Sequence, residues 1–200
     1  IVNIHPYGYP APPESYLEGQ INACRELMSK YGDEKKPIWI TEYGWPNHIG
    51  SNGVDIITQA NYIVRAFLIA LGAGVEKVFW YDYQNGPDPS YNEHNFGIVY
   101  MGDIPKPCYS ALSTMTRALA GKKFLKKLPL PEDCYAYVFQ NENKEEAIAM
   151  WALKDKEVVL EWKGQGEIWD LMGNKESISS NGLLSLKLSP SPIFLICKGD

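Results

Sequence analysis

The rhythm of apolar and polar positions changes once along this chain, close to residue 122. Before that point, short β-branched or aromatic runs alternate with longer stretches whose apolar residues recur every three or four positions. Ile1-Val-Asn-Ile-His-Pro-Tyr7 reads as a strand. Leu17, Ile21, Cys24, Met28 and Tyr31 then fall at helical spacing, predicting a helix from about Pro13 to Tyr31 that Gly32 closes. Pro37-Ile-Trp-Ile-Thr41 is a second strand. Ile56, Ala60, Ile63, Val64, Phe67 and Leu71 form one wide apolar face of a second helix, with Asp55 as its cap and Gly72 and Gly74 as its stop. Lys77-Val-Phe-Trp-Tyr-Asp-Tyr83 is a third strand. A long loop follows, then a helix from about Cys108 to Ala120 that Gly121 closes.

Strands alternating with helices imply a parallel sheet joined by crossover helices. A closed barrel needs eight such units. Three of them describe either a small open sheet or the last part of a β/α barrel. Beyond Lys127 the helices stop. Cys134–Phe139, Ala147–Leu153, Val158–Trp162, Ile168–Leu171, Leu183–Leu188 and Ile193–Ile196 read as short strands. Turn signals separate them at Lys154-Asp-Lys156, Gly173-Asn174 and Asn181-Gly182. This pattern predicts a small antiparallel β-sandwich. The chain therefore divides into an α/β part at 1–122 and a sandwich at 123–200. Lys122, Lys123, Lys126 and Lys127 sit at the junction and read as a solvated connector.

Composition narrows the partners. A net charge of −5 opposes binding to nucleic acid or an anionic membrane, both of which need a basic field. No apolar run approaches the length of a membrane span. Cys24, Cys108, Cys134 and Cys197 show no C-x-x-C spacing, and His5, His48 and His94 are too scattered for a metal site. Gly72-Ala-Gly74 ends a helix instead of opening one, so no phosphate loop is present, and no cofactor is expected. The chain starts without Met, inside an apolar run, and so reads as a piece of something longer.

The aromatic share, 13 Tyr, 6 Trp and 6 Phe, gains meaning from where it falls. In parallel β/α folds, chemistry gathers at the carboxyl ends of the strands. The first strand here ends in His5 and Tyr7, the second in Glu42, Tyr43 and Trp45, the third in Trp80, Asp82 and Tyr83. Aromatic faces pack on the C–H patches of a pyranose, polar edges bind its hydroxyls, and carboxylates do acid–base work. A lone Glu at a strand end is equally compatible with a solvated or ion-paired group. Position alone makes Glu42 a candidate and no more.

Trp39-Ile-Thr-Glu-Tyr-Gly-Trp-Pro46 resembles the seventh-strand nucleophile motif of the clan A glycoside hydrolases, which are (β/α)8 barrels. Ile4-His-Pro-Tyr7 is similar to the end of their sixth strand. Val78-Phe-Trp-Tyr81 is similar to the eighth, where the peptide after the Trp is often cis. Asn95-Phe-Gly-Ile98 and Pro105-Lys-Pro-Cys-Tyr-Ser-Ala-Leu112 resemble family 39-like members in particular. Ile168-Trp-Asp-Leu-Met-Gly-Asn174 and Ser191-Pro-Ile-Phe-Leu195 resemble their C-terminal sandwich, so the likeness covers nearly the whole chain.

The resemblance implies the last three β/α units (strands 6–8) of a TIM-type barrel followed by an all-β domain. It implies a retaining hydrolase of a β-type glycosidic bond, with Glu42 as nucleophile and a glycoside, oligosaccharide or polysaccharide as substrate. His5 and Tyr7 would meet the nucleophile or the sugar beside it and Trp80 the cleaved sugar, while Trp45 and Asp82 are candidate sugar contacts by their places at the strand ends. Tyr83, Asn85, His94 and Asn95, on the long Gln84–Lys106 loop or at its start, are further candidates. His94 serves equally well as a loop-packing histidine. The clan's acid/base is the Glu of an Asn-Glu pair ending the fourth strand, which has no counterpart here; Asp82 and Glu93 are poor substitutes. The expected partner is thus the missing N-terminal part of the same barrel, and the chain alone should be inactive. Enzymes acting on polysaccharides are often exported, and an extracellular or periplasmic setting fits that reading. The alternatives are a non-catalytic carbohydrate-binding or scaffold protein, and an unrelated α/β barrel acting on phosphorylated metabolites.

Overall fold

Ile38 and Ile40 are both fully buried, whereas Trp39 and Thr41 are only partly covered. That alternation is the period of a strand with one face on a core. In the computed structural model, which describes residues 1–197, this strand is β2 (Ile38–Tyr43). It lies between β1 (Val2–Ile4) and β3 (Lys77–Trp80) in a three-stranded parallel sheet. Two helices, α1 (Leu17–Lys30) and α2 (Ile56–Gly72), make the connections. They bury Leu17, Ile21 and Met28 from one and Ala60, Ile63, Val64 and Leu68 from the other.

A short 3-10 turn, Pro13–Ser15, precedes α1. Its Glu14 receives both Nε and Nη2 of Arg65 from α2, at 2.6 and 2.5 Å, with both side chains almost wholly buried. A paired, charge-assisted contact of this kind suits a buried site, because an unpaired charge there is costly. Asp55 caps α2, accepting from the backbone N–H groups of Ile57 and Thr58 at 2.9 Å. The outer strands are shorter than their apolar runs suggest. β1 stops before Pro6, which lacks a backbone donor, and the Tyr7 N–H turns back to the His5 carbonyl.

The face of the sheet opposite the helices carries Trp39 and Phe79, with ring centroids 6.1 Å apart. Phe79 is 47% exposed. After β3, the 84–106 loop contains a two-stranded ribbon of β4 (Val99–Tyr100) and β5 (Ile104–Pro105). The last helix, α3 (Pro107–Ala118), spans the division between two compact units, Ile1–Tyr109 and the part from Ser110 onward. The change from alternating to all-β pattern comes after this helix.

The second unit contains six antiparallel strands in one sheet, ordered β10-β9-β11-β8-β7-β6. These are β6 (Lys123–Lys127), β7 (Cys134–Gln140), β8 (Glu146–Ala152), β9 (Lys156–Trp169), β10 (Lys175–Leu188) and β11 (Ile193–Cys197). Two expectations need correction here. The lysine-rich segment is no connector: it is edge strand β6, whose Phe124 packs on Tyr137 and Phe139 while its lysines guard the open edge. Asn181-Gly182 is no turn either, because β10 runs straight through it. Gly182 (φ 154°) pairs with Trp162, and Gly164 (φ 144°) sits two residues further along the facing strand. Glycines two positions apart in the register of the two strands allow a long hairpin to bend without breaking its ladder. Val158, Leu160, Leu186 and Leu188, at one end of that hairpin, share a buried cluster with Ala136, Val138, Ile148 and Met150. The sheet thus curls over its own core, and a single sheet supplies both layers.

No helix among the described residues is long and apolar enough to cross a membrane. Replacing Asp55 by Ala should cost about 1 kcal/mol, read as a shift in the urea midpoint. Burial opposes the Asp55 charge, but hydrogen bonds from Thr58 and Ile57 outweigh it and hold the carboxyl below its usual 3.8. The cap's contribution is therefore complete above pH 3.8. The difference between wild type and variant should shrink as pH falls below that value, through the lowered native pKa.

Candidate active site

Strict alternation along β2 would turn Glu42 to the same side as Ile38 and Ile40, into the helix layer. The pairing with β3 prevents this. Ile40 pairs with Val78 but Tyr43 pairs with Trp80, so β2 holds one extra residue between those points. At this bulge the phase of the strand shifts. Tyr43 becomes the fully buried residue, and its hydroxyl pairs with that of Tyr16 at 2.8 Å. Burial raises both phenols, that of Tyr16 to about 12. Glu42 is left facing the end of β1 with 46% of its side chain exposed.

Two groups from the chain after β1 meet it there. The Tyr7 hydroxyl donates to Glu42 Oε2 at 3.5 Å, and His5 Nδ1 lies 3.5 Å from the same oxygen. The other imidazole nitrogen of His5 is 2.8 Å from Thr41 Oγ1, which also accepts from Asn3 Nδ2 at 3.3 Å. The ring is thus held against two consecutive residues of β2. Burial, then the Glu42 charge, raises the Tyr7 phenol well above its ordinary value. It stays a proton-bearing donor at any working pH. Burial, then Glu93, Asp82 and Glu42, raises Tyr81 in the same direction. Glu93, in the 3-10 turn Asn92–Asn95, therefore adds its charge to the field at this rim.

The ends of β2 and β3 approach closely. Tyr81 N–H donates to the Tyr43 carbonyl at 2.9 Å, and a Cβ on Gly44 would stand 2.1 Å from the Tyr81 carbonyl oxygen. The cis peptide falls at Tyr81–Asp82, one residue later than the peptide expected after Trp80. Asp82 accepts from the Gln84 N–H at 2.8 Å, which places its carboxylate in the loop turn. Trp80, half-buried, donates to the Phe96 carbonyl at 3.0 Å. Tyr9, Tyr7 and Tyr81 also converge on the Phe96 ring, with centroids 5.3 to 6.2 Å away.

The remaining candidates do different work. Trp45 is fully buried, with its indole bonded to the Ala11 carbonyl at 3.0 Å and its ring against Tyr43, Tyr62 and Trp80. In this chain it is a core residue beneath the rim. Tyr83 is exposed and donates to Asp103 at 3.0 Å. Asn95 is buried, and its amide donates to the carbonyls of Pro89 and Tyr91 at 3.1 and 2.8 Å. His94 accepts from the Asp88 N–H at 3.1 Å and packs on Tyr91, the loop-packing role. Asn85 accepts from Lys106 Nζ at 2.8 Å. Lys106 was not singled out by sequence, yet it is only 1% exposed and also reaches the Asn95 carbonyl at 3.3 Å. Burial pulls its pKa down to about 8. Among the described residues, no group of three or more His, Cys, Asp or Glu side chains could hold a metal ion.

No family model matches this sequence, and no curated protein does. Solved structures do match. A family 39 glycoside hydrolase from the gut symbiont Bacteroides cellulosilyticus WH2 superposes with a TM-score of 0.81 and 25% identity, over 98% of this chain and 44% of that one. A glucosidase from Croceicoccus marinus matches at 0.64 and 12% identity, over 92% and 50% of the two chains. A monomeric β-xylosidase from Caulobacter crescentus CB15 matches at 0.58 and 14% identity, over 97% and 55%. The chain is thus structurally similar to family 39 and other clan A glycoside hydrolases, matching part of the barrel together with the C-terminal domain. It spans about half the length of these proteins, or less.

The Gly44 approach is testable. Gly44→Ala should destabilise the protein by about 1–3 kcal/mol, because the obstructing atom is backbone and cannot step aside. Gly19→Ala, on an exposed turn of α1 with nothing nearby, should instead gain up to about 1 kcal/mol. Paired urea melts measure both.

Proposed function

We propose that this chain carries the nucleophile side of the active site of a retaining glycoside hydrolase acting on a β-type glycosidic bond, with Glu42 as the attacking carboxylate. The observation that supports this most directly is the convergence of Tyr7 and His5 on one oxygen of Glu42 at the carboxyl end of a parallel sheet. A nucleophilic carboxylate has to stay ionised, accessible and aimed. Both contacts engage Oε2, which leaves Oε1 for attack on the anomeric carbon. A phenol that does not ionise can hold the carboxylate without competing for the sugar.

In the reaction, Glu42 forms an ester bond to the anomeric carbon as the bond to the leaving oxygen breaks. A second carboxyl group protonates that oxygen, then takes a proton from the water that releases the sugar. Two inversions at one carbon retain its configuration. The second carboxyl has to lie roughly 5–5.5 Å from the first. We assign it to a strand of the barrel outside this chain, in keeping with the 44% coverage of the family 39 structure. Residues 1–122 then belong to the catalytic barrel and 123–200 to the all-β domain. The chain needs the rest of that barrel for turnover.

A 2-deoxy-2-fluoro glycoside carrying a good leaving group, incubated with the full-length protein, should leave its sugar on the peptide containing Glu42. A label on any other carboxylate would refute the assignment. Tyr7→Phe should lower kcat/KM by about tenfold, the worth of one hydrogen bond to a charged group, without moving the label.

A further inference from the structure

A groove of about 850 Å³ opens beside the site without including Glu42, His5 or Tyr7 in its lining. One wall is the segment after β2, from Asn47 to Gly50. The other is the loop after β3, with Asn85, Ser90, Tyr100 and Met101. The volume lies within the range of small-molecule sites, about 300–1,000 Å³. The walls are tied together. Asn47 N–H donates to the Asn95 carbonyl at 2.9 Å, and His48 Nε2 is 2.9 Å from Asn92 Oδ1.

The lining identifies the class of ligand. None of its side chains is acidic or basic apart from the His48 imidazole. The nearest ammonium, Lys106 Nζ, is buried behind Asn85 and 5.2 Å from the Tyr100 ring centroid without lining the groove, so a phosphorylated or carboxylated ligand would meet no direct ion-pair partner there. What the groove offers is amide, imidazole and hydroxyl groups around an aromatic ring 38% exposed, that of Tyr100. A neutral polyhydroxylated molecule fits such a surface.

Lys106 orients the key amide from behind. An ammonium group can only donate, so the Asn85 atom 2.8 Å from it must be the carbonyl Oδ1. The NH2 of Asn85 is thereby turned away from Lys106 and kept as a donor. The Asn85 backbone is held as well. Its N–H donates to the Val99 carbonyl at 2.9 Å, and Gly97 packs so closely that a Cβ there would stand 2.3 Å from the Asn85 nitrogen. At His48, the bond to Asn92 Oδ1 makes Nε2 the protonated nitrogen and leaves Nδ1 as an acceptor. A fixed donor and an acceptor in one groove match hydroxyl groups, which both give and take hydrogen bonds. The amide of Asn95, by contrast, is already occupied by Pro89 and Tyr91.

We propose that this groove is a separate binding site for a neutral sugar unit, recognised by Asn85 Nδ2, His48 Nδ1 and the Tyr100 ring. It holds a part of the oligosaccharide beyond the unit that meets Glu42. Asn47 follows Glu42 by five residues and Asn85 follows Asp82 by three, so both walls leave the same end of the sheet. The link to Glu42 rests on the function proposed above; sugar binding in the groove does not.

Calorimetric titration of the full-length protein with xylotriose and with cellotriose tests this, with trigalacturonate as the charged control. Asn85→Asp is the decisive variant: it keeps an acceptor for Lys106, whose ammonium balances the added charge, and replaces the NH2 donor with an oxygen that can only accept. We expect Asn85→Asp and Tyr100→Ala each to weaken binding of at least one neutral trisaccharide about tenfold, the worth of one good contact. The titrations use protein carrying Glu42→Gln, which should abolish turnover and still bind the trisaccharides through the groove, so failure of the catalytic reading and failure of the groove give different results. The proposal is overturned if this Glu42→Gln protein binds neither neutral trisaccharide. It is equally overturned if adding Asn85→Asp to it leaves their binding unchanged, or if trigalacturonate binds as well as they do.

Discussion

One extra residue in β2 decides which way Glu42 faces. Between Ile40 and Tyr43 the strand gains a position on β3, and the two-residue period that buries Ile38 and Ile40 changes phase. Without that shift Glu42 would point into the buried helix layer, on the side of Ile38 and Ile40 and away from His5 and Tyr7. With it, Tyr43 takes the buried place and Glu42 turns to His5 and Tyr7. A bulge costs ladder hydrogen bonds, and here it re-aims a single side chain. The close packing of Gly44 under the Tyr81 carbonyl follows directly, because the shifted strand has to rejoin β3 within one residue.

Around that point the aromatic residues divide into two layers with different tasks. Trp45 and Tyr43 lie below, buried, and fill the space between the strand ends and the helices. Tyr7, Tyr9 and Tyr81 stand above around Phe96, which the long loop delivers to them. The loop is held in turn by polar groups that point inward. Asn95 and Lys106 satisfy its backbone and side-chain acceptors from within, and Gln59 of α2 donates to the Trp45 carbonyl below it. A buried ammonium with no carboxylate bonded to it is an expensive fastener. Its expense is offset by the two acceptors it joins, Asn85 Oδ1 and the Asn95 carbonyl, and the same contact sets the direction of the Asn85 amide.

The two faces of the parallel sheet differ for a reason that bears on assembly. The face toward α1 and α2 is closed by aliphatic packing, whereas the opposite face leaves Phe79 half-exposed and Trp39 with a buried indole N–H that finds no acceptor. In a complete β/α barrel that second face would line the interior. A sheet finished on one side only is in keeping with the similarity to part of a family 39 barrel.

Much of this was legible along the chain. Helical periodicity located α1, α2 and α3, and β-branched runs located the parallel strands, because these signals depend on near neighbours. Glu42, His5 and Tyr7 were recognisable together, since strand ends collect function and their spacing resembles a known motif. The errors share one cause. Lys123–Lys127 looked like a connector and Asn181-Gly182 like a turn because local composition cannot show that a strand has a partner across a sheet. Trp45 is a candidate sugar contact by its place after Glu42, while its burial in this chain depends on Tyr62 and Trp80 from distant segments. The sequence by itself therefore determined the elements, their order and the carboxylate that ends the second strand. Only the tertiary structure decided which way that carboxylate faces, which aromatics reach the surface and that Lys106 is buried. Those outcomes depend on strand register and long-range packing, and neither is written in any one stretch of the chain.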